Sequence, residues 1–223
     1  MMLGGNYTPE GYVKDGLVLW MDGLNRGGVA GEWHDLIDPE NICTLTGNYT
    51  ELDNGVSLPG DSSTYGTFAK TVYVSYTQGT IECALTLTAV ETTGRPLIAM
   101  GNRAMGGSFA SAYSDGNNPA MRWWNYGDNW NYWVFPHVNS NESLKYTASA
   151  SSENGVCNGT NGELNTVSSW SPYAYPRLGS RGSGNPFKGT FYAIRLYNRH
   201  LTQAEMLHNQ RIDNKRYNLG LTI

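Results

Sequence analysis

Short stretches in which apolar and polar residues alternate recur along most of the chain, and this period of two is typical of half-buried β-strands. The clearest stretch is 80–89, in which every second residue from Ile81 to Leu87 is apolar and Glu82 falls on the opposite side. Residues 16–22 are almost continuously apolar, which predicts a first, buried strand. Further strands are predicted at 65–76, 95–101, 108–114, 120–126, 130–134 and 145–150, and around Val156.

The pattern changes towards the C-terminus. Residues 188–198 alternate, but the apolar residues between Phe191 and Tyr197 cannot all lie on one face, so we expect this strand to be covered on both sides. After it, Thr202 and Glu205 have the spacing of a capping box, in which the threonine caps a helix and the glutamate reaches back to the cap. The sequence therefore predicts one late helix behind a series of strands.

We expect this helix to bury Met206, Leu207 and Ile212, and the tail 213–223 to contain one last extended segment. No linker of domain size interrupts the chain, and no repeat of solenoid length occurs in it. About a dozen short strands separated by turns, with a single helix, are typical of a β-sandwich. We therefore predict one β-sandwich domain over residues 1–223.

Composition agrees with an all-β fold and restricts the partners. Charged residues make up only 15% of the chain and glycine contributes 27 of 223 residues, a mixture that suits short strands and tight turns. A formal charge of −4 argues against a nucleic-acid partner. We see no signal peptide at the start of the chain and no apolar stretch of transmembrane length, so we expect no membrane insertion. Three cysteines without CxxC spacing predict no obligatory disulfide framework.

Two segments resemble a known family. Leu178-Gly-Ser-Arg, followed by PFKGTFYAIRLYNRHLTQAE from Pro186 to Glu205, resembles the closing motif of laminin-G-like domains of the concanavalin A-like lectin/glucanase superfamily. GLVLWMDG from Gly16 to Gly23 resembles the first strand of such domains, in the form found in bacterial and phage members. The resemblance implies an all-β, concanavalin A-like jelly-roll sandwich of two antiparallel sheets with one short C-terminal helix. Members bind glycans or proteins, cleave glycans or build surfaces, and the fold alone does not choose among these roles.

The carboxylates give little sign of a hydrolase. Glycoside hydrolases of this fold carry two or three acids on one strand in the pattern Glu-x-Asp-x-x-Glu, and Glu51-Leu-Asp53 supplies only the first two. Asn54-Gly55 follows directly and is a turn signal, which would end such a strand. Glu82 and Glu91 have no acid two residues further on. We interpret Arg195 as ion-paired or at a sheet edge, and we expect no enzymatic activity.

Calcium binding remains open at this stage. Candidate ligands in loops are Asp22, Asp35 and Asp38, or Asp115 and Asp128. Calcium needs six to eight oxygen ligands, and no EF-hand-like loop supplies them in series. The alternative interpretation is that these aspartates close turns, and we assign no metal ligand.

The most unusual segment is RWWNYGDNWNYWVF, residues 122–135, which holds four of the seven tryptophans. If the central Gly-Asp-Asn forms a hairpin turn, each face of the hairpin carries aromatic rings. One face should then belong to the core, as should Trp20 and Trp33 elsewhere in the chain. The other face is a binding platform, part of the interior or a subunit interface. The candidate ligand-binding residues are Trp124, Tyr126, Asp128, Asn129, Trp130 and Tyr132.

The sequence as a whole predicts a non-catalytic recognition or adhesion module whose favoured ligand is a glycan or surface receptor. The likeness of its end motifs to phage and bacterial proteins suggests display on a virion or an extracellular surface, with other virion or surface proteins as possible partners. Two alternatives stay open: a purely structural virion protein (decoration, fibre or tail), and a polysaccharide-cleaving hydrolase of the same fold.

Overall fold

The structure of the chain is a computed structural model that describes residues 8, 10–75, 77–100, 106–113, 118–124, 130–135, 144–167, 176–180 and 185–223. Within these residues the elements are β1 (Leu17–Asp22), β2 (Glu32–His34), β3 (Ile42–Thr46), β4 (Thr50–Leu52), β5 (Gly55–Pro59), β6 (Tyr65–Phe68), β7 (Thr80–Leu87), β8 (Arg95–Met100), β9 (Gly106–Tyr113), β10 (Asn118–Trp124), β11 (Trp130–Val134), β12 (Lys145–Ser151), β13 (Gly155–Cys157), β14 (Thr160–Asn161), β15 (Glu163–Val167), β16 (Pro176–Leu178), β17 (Lys188–Tyr197) and α1 (Gln203–Arg216).

The strands form two antiparallel sheets. One has eight strands in the order β14-β13-β12-β7-β17-β5-β4, with β1 paired to the second half of β17. The other has nine strands in the order β15-β11-β10-β9-β8-β16-β6-β3-β2. Together with the single C-terminal helix, this confirms the predicted fold class of a β-sandwich.

The two sheets enclose one apolar core, and the alternation in β7 shows why. Ile81, Cys83, Leu85 and Leu87 all lie in this core, as the period of two predicted. The nine-stranded sheet contributes aromatic side chains from its facing side, including Trp33. Removing this apolar area from water is the main force that holds the sheets together.

The last strand is covered on both sides, as predicted. Phe191, Ile194 and Leu196 belong to the core between the sheets, whereas Tyr197 packs in a second cluster with residues of the N-terminal segment and α1. A register shift between Phe191 and Ala193 against β7 accounts for the imperfect alternation.

Helix α1 begins with the predicted capping box. The Thr202 hydroxyl accepts a hydrogen bond from the Glu205 backbone N–H (3.3 Å), and the Thr202 backbone N–H donates to the Glu205 carboxylate (2.8 Å). Arg199 forms an ion pair with the same carboxylate (2.6 Å), and these contacts lower the pKa of Glu205 to about 2, with the arginine as the largest cause.

The buried face of α1 is not the apolar face that the sequence predicted. Met206 is buried, but Leu207 and Ile212 are only partly buried. The other buried residues of the helix are polar: Asn209, Gln210 and Asp213. The apolar prediction was wrong because the helix packs on a polar part of the eight-stranded sheet, where these side chains find hydrogen-bonding partners.

That polar part of the sheet centres on Arg195. Its Nε donates to Glu82 (2.9 Å), and its two terminal nitrogens donate to Asp213 of α1 (2.9 and 2.6 Å). All three side chains are at most 1% exposed, and burial raises the pKa of the Glu82 carboxyl. Arg195 is ion-paired, as one interpretation held, but it does not lie at a sheet edge, because β17 has paired strands on both sides.

One strand prediction needs correction, and the C-terminal tail is held without strand pairing. The predicted strand 65–76 is limited to β6, and residues 69–75 form no strand. Residues 217–223 form no strand either; the Asn214 side chain holds this tail instead, through hydrogen bonds to the backbone N–H and carbonyl of Leu221. Side-chain contacts of this kind leave no periodic signal in a sequence.

The three cysteines and the two early tryptophans are buried. Cys43, Cys83 and Cys157 are buried and not joined in disulfides. Trp20 and Trp33 are 4% and 0% exposed, respectively, which confirms them as core residues. In the part of the chain that the structure describes, no helix is long and apolar enough to span a membrane.

Candidate aromatic recognition face

The aromatic segment forms an antiparallel strand pair, β10 and β11. Its register runs from Ala120 opposite Val134 to Trp124 opposite Trp130. The connection between the two strands, 125–129, lies outside the described residues, and with it lie the predicted ligand residues Tyr126, Asp128 and Asn129. The described part of the site is therefore the strand pair itself.

One face of this strand pair belongs to the core. Met121 and Trp133 pair across the strands and are 0% and 8% exposed, respectively. The Trp133 indole N–H donates to the backbone carbonyl of Ser151 in the eight-stranded sheet (2.8 Å). By register, Trp123 and Asn131 share this face, so the hypothesis of an interior face holds for this half of the segment.

The opposite face carries three of the predicted ligand residues. Trp124 and Trp130 are directly cross-strand, and Arg122 pairs with Tyr132 one step further along the same face. Side chains on directly opposed residues of an antiparallel pair are close enough to contact one another. Tyr132 is partly exposed. Arg122 was not among the predicted ligand residues, although its position two residues before Trp124 places it on the same face.

Neighbouring strands extend this outer face in two parallel rows, one through Tyr132 and one through Trp124. Tyr132 pairs with Asn165 of β15, Arg122 with Ser108 of β9, and Trp124 with Gly106 of the same strand. Gly106 in turn lies opposite Ala99 of β8. The row through Trp124 thus passes from large aromatic residues to small ones.

The same row reaches a second aromatic residue further across the sheet. Ala99 pairs with Arg177 of β16, whose guanidinium lies 4.1 Å from the centre of the Tyr65 ring. Strands are spaced about 4.8 Å apart, so the backbones of Trp124 and Arg177, three strands apart, are separated by about 14 Å. Ala99 between them is 1% exposed, and Ser108 in the neighbouring row is 2% exposed, so the accessible parts of this face lie towards its two ends.

The carboxylates that resemble a hydrolase motif are engaged in structural contacts. Glu51 accepts a hydrogen bond from the backbone N–H of Gly31 (2.6 Å) and forms an ion pair with Arg26 (3.0 Å). The Gly31 N–H is the largest cause of the lowered pKa of Glu51, which is unsuited to a general acid. β4 ends at Leu52 and β5 begins at Gly55, so a turn follows Glu51, as the sequence predicted.

The other acids considered in the strands are no better placed. Glu82 is enclosed by Arg195, Ser149 and Asn209 beneath α1. Glu91 forms an ion pair with Arg95, four residues further along the chain. Neither carboxylate is available as one of the pair that glycoside hydrolysis requires.

The described aspartates that were considered as calcium ligands instead form hydrogen bonds or ion pairs with other parts of the protein. Asp22 accepts hydrogen bonds from Arg216 (2.5 Å) and from the Tyr217 hydroxyl (2.8 Å). Asp35 accepts from the backbone N–H of Trp20 (3.0 Å). Asp38 forms an ion pair with Lys70 (2.7 Å). Asp115 and Asp128 lie outside the described residues. Among the described residues, no three His, Cys, Asp or Glu side chains gather as metal ligands would.

Solved structures share this fold. The sialidase of Trypanosoma rangeli, in complex with 2,3-difluorosialic acid, aligns with a TM-score of 0.56 at 14% identity, over 90% of this chain and 33% of that chain. Domain 4 of AbnA, a GH43 extracellular arabinanase from Geobacillus stearothermophilus in complex with arabinotriose, aligns with a TM-score of 0.54 at 16% identity, over 87% of this chain and 98% of that domain.

The binding domain of botulinum neurotoxin serotype D/C VPI 5993 aligns with a TM-score of 0.52 at 10% identity, over 89% of this chain and 52% of that domain. The chain thus spans about a third of the sialidase and about half of the toxin domain. No protein-family model and no curated protein matches the sequence. At identities of 10 to 16%, these likenesses show the fold alone: a β-sandwich that also occurs in carbohydrate-acting proteins and in a toxin.

Proposed function

We propose that this chain is a non-catalytic glycan-recognition domain of the laminin-G-like type, whose binding surface is the outer face of β10 and β11. One observation carries the proposal. The register places Trp124 and Trp130 opposite each other, with Tyr132 beside them, on the face away from Trp133 and the core. Aromatic residues on an outward face favour contact with a ligand, because leaving such a patch in water is unfavourable.

The polar neighbours of these rings suit a sugar. Arg122 and Asn165 flank Tyr132 on the same face and offer hydrogen-bond donors for hydroxyl groups. The solved structure of AbnA domain 4 in complex with arabinotriose, which has the same fold over nearly its whole length, supports an oligosaccharide as the ligand class. The structural engagement of Glu51, Glu82 and Glu91 supports a role in binding without hydrolysis.

The proposal includes display on a virion or bacterial surface. It rests on the likeness of the segments 16–23 and 186–205 to the end motifs of phage and bacterial laminin-G-like domains. In that setting the domain attaches a particle or a cell to a glycan or receptor, alongside other virion or surface proteins.

A glycan array, followed by calorimetric titration of arabinotriose and of any array hit, tests the proposal. We expect Trp130→Ala or Tyr132→Ala to weaken binding at least tenfold while the unfolding midpoint changes little. Tyr73→Ala is the matched control, since Tyr73 is an aromatic residue 69% exposed and outside this face. An array without any hit contradicts glycan recognition and favours a structural role, and release of reducing sugar contradicts the non-catalytic assignment.

A further inference from the structure

A groove of about 620 Å³ lies beside helix α1, on the layer of the molecule opposite the aromatic face. One stripe of the helix forms its floor, since the positions involved recur at intervals of three and four residues. Leu24, which follows β1, and Glu10 of the N-terminal segment complete it. The described lining residues are Glu10, Leu24, His208, Arg211, Ile212, Lys215 and Arg216.

The groove is cationic in a chain whose net charge is −4. Arg211 and Lys215 are exposed, and neither side chain forms a hydrogen bond or ion pair with any residue that the structure describes. Basic residues in the last turn of a helix interact favourably with the helix dipole, and this accounts for a lysine at position 215. Arg211 lies more than one turn before the helix end, where the dipole does not account for it.

Two buried polar atoms of the groove-lining residues have no hydrogen-bonding partner among the residues that the structure describes. Arg216 donates from a terminal nitrogen to Asp22 (2.5 Å), but its Nε–H has no acceptor. The Oε2 atom of Glu10 is also buried and has no donor. Both atoms are shielded from water, so a ligand in the groove meets the accessible parts of these side chains: the Arg216 side chain is 20% exposed and Glu10 is half-buried.

The other side chains that line the groove indicate which further groups a ligand needs. Leu24 is 42% exposed and Ile212 is partly buried, so the groove has apolar surface beside its charges. His208 Nε2 lies 2.9 Å from the Gly11 carbonyl and ties the N-terminal segment to the helix, which keeps this wall of the groove in place. A ligand that fits carries an anionic group, a hydroxyl donor and an apolar C–H face.

We propose that this groove binds a carboxylate-bearing sugar such as a uronic acid. Its carboxylate lies against Arg211, Lys215 and the exposed part of Arg216, and one of its hydroxyls donates to the Glu10 carboxylate. Leu24 and Ile212 pack against its ring. The site stands independently of the aromatic face, because the two surfaces share no residue and lie on opposite layers of the sandwich.

Titration of the full chain with methyl α-D-galacturonoside and with methyl α-D-galactoside, followed by NMR at low salt, tests this assignment. We expect the acidic sugar to bind at least tenfold more tightly than the neutral one, and less tightly as salt is added. The double variant Arg211→Gln/Lys215→Gln should lose at least tenfold in affinity. Lys14→Gln/Lys188→Gln removes the same charge elsewhere and should retain full affinity.

Several outcomes overturn the assignment. They are the absence of binding, equal affinity for both sugars, an equal loss in the control variant, and equally tight binding of inorganic sulfate, which would leave a simple anion site. Trp130→Ala must leave this affinity unchanged. Failure here with a glycan still bound at the aromatic face, or the reverse, separates the two proposals.

Discussion

For Arg195, the sequence predicted the ion pair correctly but did not predict that the residue is buried inside the sheet. Its charge and strand position predicted an ion pair, but nothing in the local sequence indicated that both partners are buried with it. Glu82 lies 113 residues before it and Asp213 lies 18 residues after it. Such distant partners become neighbours only when β7, β17 and α1 have packed together.

Arg195→Met tests the weight of this cluster. The substitution leaves Glu82 and Asp213 buried without a cation, and loss of one partner from a buried ion pair costs about 3–5 kcal/mol. We expect urea unfolding to show a loss of that order.

Arg199→Met is the matched control, because Arg199 pairs with Glu205 and Asp15 but is 28% exposed. Partly solvated pairs of this kind contribute about 0–1 kcal/mol. Equal losses of unfolding free energy in the two variants would show that the buried cluster stabilises the fold no more than the partly exposed pair does.

For strands β10 and β11, the alternation of residues predicts which side chains share a face but not which face is buried. The sequence predicted the hairpin strands and the division of their aromatic residues between two faces, and the register confirms both. It left open which face is core, because each carries tryptophan. The choice is made by Met121 and Trp133, which both lie in the core, and the Trp133 indole N–H also donates to the Ser151 carbonyl of the other sheet.

A pair of substitutions in one strand distinguishes these faces. Trp133→Ala removes a core ring and its hydrogen bond, and we expect it to lower the free energy of unfolding by about 3–5 kcal/mol. Trp130→Ala, three residues away on the outer face, should lower it by less than about 1 kcal/mol. Comparable losses in denaturant unfolding would mean that the outer face is buried as well, and the recognition proposal would then fail.

At the scale of the whole molecule, both sheets contribute to the main apolar core of the described residues. A shared core has a consequence for how the protein opens. Cys43 lies in the nine-stranded sheet, whereas Cys83 and Cys157 lie in the eight-stranded sheet, and all three thiols are fully buried. Burial raises the pKa of each thiol, which keeps it protonated and unreactive in the folded state.

We therefore expect the three cysteines to become reactive together. In partial denaturant, labelling by a thiol reagent followed by mass spectrometry should give one common rate, because exposure of any thiol requires the shared core to open. Labelling of Cys43 alone, well before the other two, would instead show that the nine-stranded sheet opens as a separate unit.

The sequence by itself determined the elements whose causes are local. Alternation defined β7, β10 and β11, the mixed pattern of 188–198 showed a strand covered on both sides, and the capping box located the start of α1. Tertiary structure alone decided what those elements face: a polar cluster beneath α1, the core side of the aromatic strands, and a cationic groove beside the helix. Periodicity records which residues share a face, whereas the neighbour of that face is set by contacts between segments far apart in the chain.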